Sequence, residues 1–102
     1  MEIRILWTDT ALDNLKDIYD YYKEEVNDNI AKELVNNLID RTIQLENQPE
    51  SGRKEILLES RKNDYRFLIE GNYKIIYWIE PGCIKIATIF DTRQNPNKLK
   101  DV

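Results

Sequence analysis

The chain contains no histidine, and cysteine and methionine occur once each. Without an imidazole, the commonest general base and the commonest zinc ligand are both missing. One thiol, Cys83, closes no internal disulfide, and with no histidine beside it a structural zinc site is excluded. Neither a metal nor a cofactor is expected. Cys83 lies in or next to a turn, which fits a reducing cytoplasm. No run of about 18 apolar residues exists, and Met1-Glu2-Ile3-Arg4 already opens a strand. Neither a membrane span nor a signal peptide is expected, and no membrane partner. Glycine and proline are scarce, three of each in 102 residues, so nearly every one marks a boundary. No repeat, linker or low-complexity segment interrupts the chain.

What is present fits an ordinary globular protein: 41% hydrophobic and 33% charged residues, enough apolar side chain for one core. The length predicts one domain over residues 1–102. The net charge of −4 hides an asymmetry. Residues 1–50 carry 5 Lys/Arg against 12 Asp/Glu, and residues 51–102 carry 10 against 7. Such blocks arise either as two solvated surfaces of different sign or as a locally basic surface in the second half. A net acidic protein has no long-range attraction for nucleic acid, so any such binding would rest on that local surface.

Ile3, Ile5 and Trp7 alternate with Glu2, Arg4 and Leu6, which predicts a first strand. Thr8 is placed to cap a helix over 9–25, with Asp9 in its first turn. On that helix Ala11, Leu12, Leu15, Ile18, Tyr19 and Tyr22 form one apolar stripe. Tyr21 is out of phase and exposed. Asn27-Asp28-Asn29 punctuates, and Asp28 or Asn29 caps a second helix over 29–48. Its apolar face is broader: Ile30, Leu34, Leu38 and Leu45, with Ala31, Val35, Ile39 and Ile43 beside them. Pro49 and Gly52 end it. A break this short makes the two helices an antiparallel hairpin. Residues 53–63 resist assignment, since apolar Ile56-Leu57-Leu58 is ringed by Arg53, Lys54, Arg61 and Lys62.

Tyr65 to Ile69, Tyr73 to Glu80 and Ile84 to Asp91 read as three strands. Glu70-Gly71-Asn72 and Pro81-Gly82 join them too tightly for a crossover, so they form a meander. The predicted fold class is α+β, β-α-α-β-β-β, a helical hairpin packed on a mostly antiparallel sheet. Trp7 and Trp78 are expected between sheet and helices. Arg66 is free to pair with Glu80 or Asp91 across the sheet or to serve a site. Arg93 ends the last strand just before Asn95-Pro96, where a side chain is held by the sheet yet reaches outward.

The chain resembles the RelE/ParE toxins of type II toxin–antitoxin systems over nearly its whole length. The likeness rests on Trp7-Thr8 leading into Ala11 and Leu15, and on Leu45 through Pro49 to Gly52-Arg53. It continues through Tyr65-Arg66 and Tyr73-Lys74-Ile75-Ile76-Tyr77 to the closing Ile89-Phe90-Asp91-Thr92-Arg93. The resemblance implies a growth-inhibiting toxin, of the kind tied to plasmid stabilisation, neutralised by a cognate antitoxin. It also implies a possible homodimer or a toxin–antitoxin hetero-oligomer. The antitoxin would lie along the first strand, the outer face of the hairpin or a sheet edge, and the acidic first half calls for basic side chains on it.

Two activities occur in the family. RelE-like members cleave mRNA on the ribosome, which needs cations around a developing phosphorane and proton-transfer partners on both sides. Here Arg66, Lys74 and Arg93 fall at three of the expected basic places. Leu68 stands where a further lysine would be, and no tyrosine or histidine follows Arg93. Tyr65, Tyr73 and Tyr77 point toward the core by alternation. The set looks incomplete, which favours the ParE-like branch, whose members inhibit DNA gyrase by protein–protein contact. The target-binding candidates are then Arg53, Arg66, Lys74 and Arg93. A ribosome-dependent endoribonuclease is the alternative, and a degenerate toxin acting only as an interaction module is the second.

Overall fold

The computed structural model describes residues 2–101. Arg4–Trp7 forms strand β1, followed by helices α1 (Asp9–Glu25) and α2 (Asp28–Ile43). Four strands come after them: β2 (Arg53–Lys54), β3 (Arg66–Glu70), β4 (Tyr73–Glu80) and β5 (Cys83–Asp91). All five join in one sheet of order β1-β5-β4-β3-β2, in which only β1 and β5 run parallel. The helical hairpin and the antiparallel meander are therefore as predicted.

Thr8 begins α1 by two means. Its Oγ1 accepts from the Ala11 N–H at 3.1 Å, capping the helix, and donates toward the Ile86 and Ala87 carbonyls at 3.0 Å. This couples the helix start to an irregularity in β5. Ile76 faces Thr88 while Tyr77 faces Ile86, so Ala87 is the extra residue of a β-bulge. Asn14 of α1 covers the same place, its Oδ1 accepting from Thr88 Oγ1 at 2.7 Å and from the Ile89 N–H at 3.0 Å.

The second helix is capped by Asn27, whose Oδ1 accepts from the Ile30 N–H at 2.8 Å, and not by Asp28 or Asn29. Asn27 is the residue in extended backbone, as a cap must be. That leaves Asp28 in the first turn, where it accepts from Tyr19 and pairs with Lys32 at 2.9 Å. The α-helix stops at Ile43 and tightens into a 3-10 turn over Gln44–Glu46, short of the expected residue 48. Its buried stripe is narrower than the sequence implied. Ala31, Leu38, Thr42 and Leu45 are buried, while Ile30, Ile39 and Ile43 are exposed, as is Leu12 on α1. A two-helix layer has one inner face, and these four residues sit on its flanks.

The sheet is covered on both faces. On one, Ala11, Leu15, Ile18, Leu38 and Leu45 of the helical layer pack against Leu68, Tyr73, Ile75, Tyr77, Ile84 and Ile86. On the other, Leu58 and Leu99 pack over Ile76, Ala87 and Phe90. They are carried by 3-10 turns at Ile56–Leu58 and Pro96–Asp101. The segment that sequence alone could not assign thus supplies a lid, anchored by Leu58 with Ile56 exposed. Trp7 packs with the helices as expected, but Trp78 lies on the second face, edge-on to Tyr65. Trp78 follows Ile76 by two on β4, so it inherits that face.

Candidate functional site: four dispersed cations

Arg93 stands two residues beyond the end of β5. Its Nε and Nη2 donate to the two carboxylate oxygens of Asp91 at 3.0 and 2.8 Å, and its own N–H reaches Oδ1 at 2.9 Å. The fork leaves the side chain 57% exposed, with guanidinium donors still facing outward. Asp91 is held below the usual carboxylate range by the Arg93 hydrogen bond. The Arg93 guanidinium is raised, first by Asp91 and then by a hydrogen bond with Tyr22. Thr92 fixes the strand end, its N–H and its hydroxyl each donating to the Asn72 carbonyl at 2.8 Å. Beside Arg93 opens a cleft of about 450 Å³, lined among others by Asn14, Asp17, Tyr21, Tyr73 and Asp91.

Lys74 is on the opposite face of the sheet, in phase with Ile76. Its ammonium donates to Glu55 Oε2 at 2.8 Å and sits 4.2 Å from the centre of the Phe67 ring. The Glu55 side chain is only 3% exposed, and its other oxygen accepts from the Leu57 N–H at 3.2 Å. Lys74 is thus the counter-charge of a buried carboxylate that holds the lid segment to the sheet.

Arg66 is paired with Tyr77 and so shares the helical face. It contacts neither Glu80 nor Asp91. Its Nη1 donates to the Gly52 carbonyl at 3.1 Å and lies 3.3 Å from that of Glu50, and Nη2 is 3.5 Å from Asp64. Tyr77 completes this clasp, its hydroxyl donating to the Pro49 carbonyl at 2.8 Å and accepting the Gly52 N–H at 2.9 Å. A Cβ at residue 52 would stand 2.5 Å from that hydroxyl and 2.8 Å from the Phe67 carbonyl, which explains the glycine. Arg53 follows, exposed on the short edge strand β2.

The four sequence candidates therefore do not converge. Arg66 and Lys74 lie on opposite faces and are occupied, Arg93 projects from the strand end, and Arg53 sits at the far edge. Sequence reasoning missed their partners Asp91, Glu55 and Tyr22. Asp91 had a signal: an Asp at the start of a turn accepts from the backbone N–H two residues on, which brings Arg93 to it. Glu55 had none, because its segment has no periodicity. Among the described residues no group of three or more acidic or cysteine side chains is placed to hold a metal. No described helix is long and apolar enough to cross a membrane.

The family model described as ParE toxin of type II toxin–antitoxin system, parDE, matches residues 5–96. The chain belongs to the ParE toxin family. Among solved structures it is similar to a chain of the chromosomal ParDE TA system from P. aeruginosa, with a TM-score of 0.73 and 21% identity. That match covers 87% of this chain and 95% of the other, and at this identity it speaks to the fold. No curated protein sequence matches. Within the ParE frame, β5 and its Asp91-Thr92-Arg93 terminus lie inside the matched span, as do Arg53, Arg66 and Lys74.

Proposed function

We propose that this ParE-family chain arrests growth in the cytoplasm by gripping a target protein, DNA gyrase, and that a cognate antitoxin neutralises it in a hetero-oligomer. The observation that carries this reading is the dispersal of the cations. Stabilising a phosphorane needs positive charge and proton carriers around one point. Here Arg66 and Lys74 are on opposite faces of a sheet, one spent on loop carbonyls and the other on a buried carboxylate. The tyrosines do not mend this. Burial raises the Tyr73 and Tyr77 hydroxyls, and both directions disfavour a phenolate base. Arg93 and Arg53, the two exposed candidates, are assigned to partner contact, and Arg66 and Lys74 to holding the scaffold.

The test is expression with pulse-labelling of DNA and protein synthesis, joined to a supercoiling assay with purified gyrase. Early arrest of replication and inhibited supercoiling are expected. Early arrest of translation with cleaved messages would overturn the proposal in favour of a ribonuclease.

A further inference from the structure

One flank of α1 is fixed against β5 by Asn14, which is tied to Thr88 and Ile89 beside the bulge. Asp17 and Tyr21 follow Asn14 one and two turns later on the same side of the helix. With Asn14 they line the cleft of about 450 Å³ beside Arg93, to which Tyr73, Asp91 and Gln94 also contribute. A space of this size takes a whole side chain.

The charge of the cleft differs from that of Arg93 alone. Two carboxylates and one guanidinium line it, and the fork matches Arg93 to Asp91. Asp17 is exposed, and among the described residues its carboxylate has neither a hydrogen bond nor an ion pair. The neighbouring Lys16 pairs with Asp20 at 3.2 Å instead. Asp13, one turn before Asp17, adds only repulsion. The cleft is one positive charge short. Its aromatic wall is open as well: the Tyr21 ring is 59% exposed and stands edge-on to Tyr22, with centroids 5.1 Å apart. Burial, and then a hydrogen bond with Tyr22, raise the Tyr73 hydroxyl, so its oxygen remains a neutral acceptor. Among the described residues the Gln94 side-chain amide is unbonded.

We propose that this cleft takes an arginine side chain of a partner protein, its guanidinium lying on the Tyr21 ring and donating to the Asp17 carboxylate. Asp17 supplies the missing counter-charge, and the Tyr21 face adds a cation–π contact. A guanidinium carries five donors in one plane, and the Gln94 carbonyl and Tyr73 hydroxyl oxygens accept those that Asp17 leaves. An ammonium is a more strongly hydrated point charge with fewer donors and no flat face to stack, so lysine fits less well. Anions are disfavoured, since a phosphate or carboxylate would face Asp17 and Asp91 with Arg93 already matched. The outward donors of Arg93 stay available for an acceptor on the same partner. The proposal rests on the reading that this chain works by gripping proteins, not on gyrase being the protein gripped.

The experiment titrates the full chain, labelled with nitrogen-15, with a blocked pentapeptide of glycine and serine carrying one central arginine. Versions with citrulline, lysine or glutamate at the centre serve as controls, citrulline keeping the shape without the charge. Amide shifts centred on Asp17, Tyr21 and Gln94 are expected. Arginine should bind about fivefold more tightly than citrulline, the weight of one half-exposed charge pair, and salt should weaken it. Asp17→Asn should bring arginine down to the citrulline level with a thermal midpoint no lower than the parent's. Tyr21→Leu should weaken binding about threefold. Asp13→Asn, outside the cleft, should change affinity by less than about twofold. Citrulline or lysine bound as tightly as arginine, shifts centred elsewhere, or equal losses in Asp13→Asn and Asp17→Asn would overturn the proposal. So would tighter binding of the glutamate peptide or of a single-stranded oligonucleotide at the same amides, which would make the cleft an anion site. Gyrase inhibition without arginine binding sinks this cleft alone, and arginine binding without gyrase inhibition sinks only the choice of target.

Discussion

Replacing Lys74 by methionine keeps the stem over Phe67 and removes the charge, leaving the Glu55 carboxylate without its partner. Glu55 is 3% exposed and retains only the Leu57 N–H at 3.2 Å. Removing one partner of a fully buried pair costs about 3–5 kcal/mol. Lys74 is 23% exposed, so water screens this pair and the cost falls to about 2–3 kcal/mol. Glu55→Gln leaves an ammonium that turns to solvent, at about 1–2 kcal/mol. The double variant carries no charge at the site and should stand within about 1 kcal/mol of the parent. The cycle then gives a coupling of about 2 kcal/mol or more, read from urea midpoints at constant slope. Lys74→Met costing under about 0.5 kcal/mol, or costs that simply add, would refute the structural role. So would loss of toxicity in a double variant of parental stability, which would return Lys74 to the target surface.

Arg93→Ala should abolish growth arrest with little change in stability, because an exposed side chain beyond a strand contributes little to the core; retained toxicity removes it from the site. The same variant carries a pH signature. Asp91 is depressed in the folded state, so its contribution is present above its unfolded pKa of about 3.9 and is lost as pH falls through the lower folded value. Acid titration of stability should therefore be shallower in Arg93→Ala than in the parent, and parallel curves would count against the pairing. Gly52→Ala should destabilise by more than about 2 kcal/mol, since Tyr77 Oη and the Phe67 carbonyl both obstruct a Cβ; a thermal melt at the parental midpoint would contradict the clasp. Asn27→Ala should cost about 1 kcal/mol through loss of the helix cap, whereas Asn29→Ala should cost under about 0.5.

The parts of the fold legible from sequence are those in which a local rule and the tertiary arrangement agree. Thr8 caps α1 and that helix runs over Asp9–Glu25, because cap chemistry and apolar period coincide there. The meander followed from its short turns, with Gly71 and Gly82 both at positive φ. Asp28 was mistaken for a cap because it is as good a cap by type as Asn27; only backbone geometry separates them. Ile39 and Ile43 were placed inward because period alone does not report how wide a strip one neighbouring helix and one sheet can cover. Ala87 could not be foreseen as a bulge, since β5 is apolar on both faces and a register shift leaves no mark in such a run.

The site was less legible for a different reason. Sequence shows which cations exist, but function depends on which remain uncompensated, and that is a property of distant partners. Lys74 and Arg66 look as available as Arg93 on their strands, yet one meets Glu55, 19 residues earlier, and the other meets the carbonyls of Glu50 and Gly52, 16 and 14 residues earlier. Arg53 fell in the stretch that sequence could not assign, yet edge pairing leaves it, of the four, the one without a partner among the described residues. The order of importance among the four is thus set by which donors the fold has already used. Arg93 keeps outward donors after Asp91 takes its share, Arg53 keeps its whole guanidinium, and Arg66 and Lys74 keep the scaffold that presents the other two.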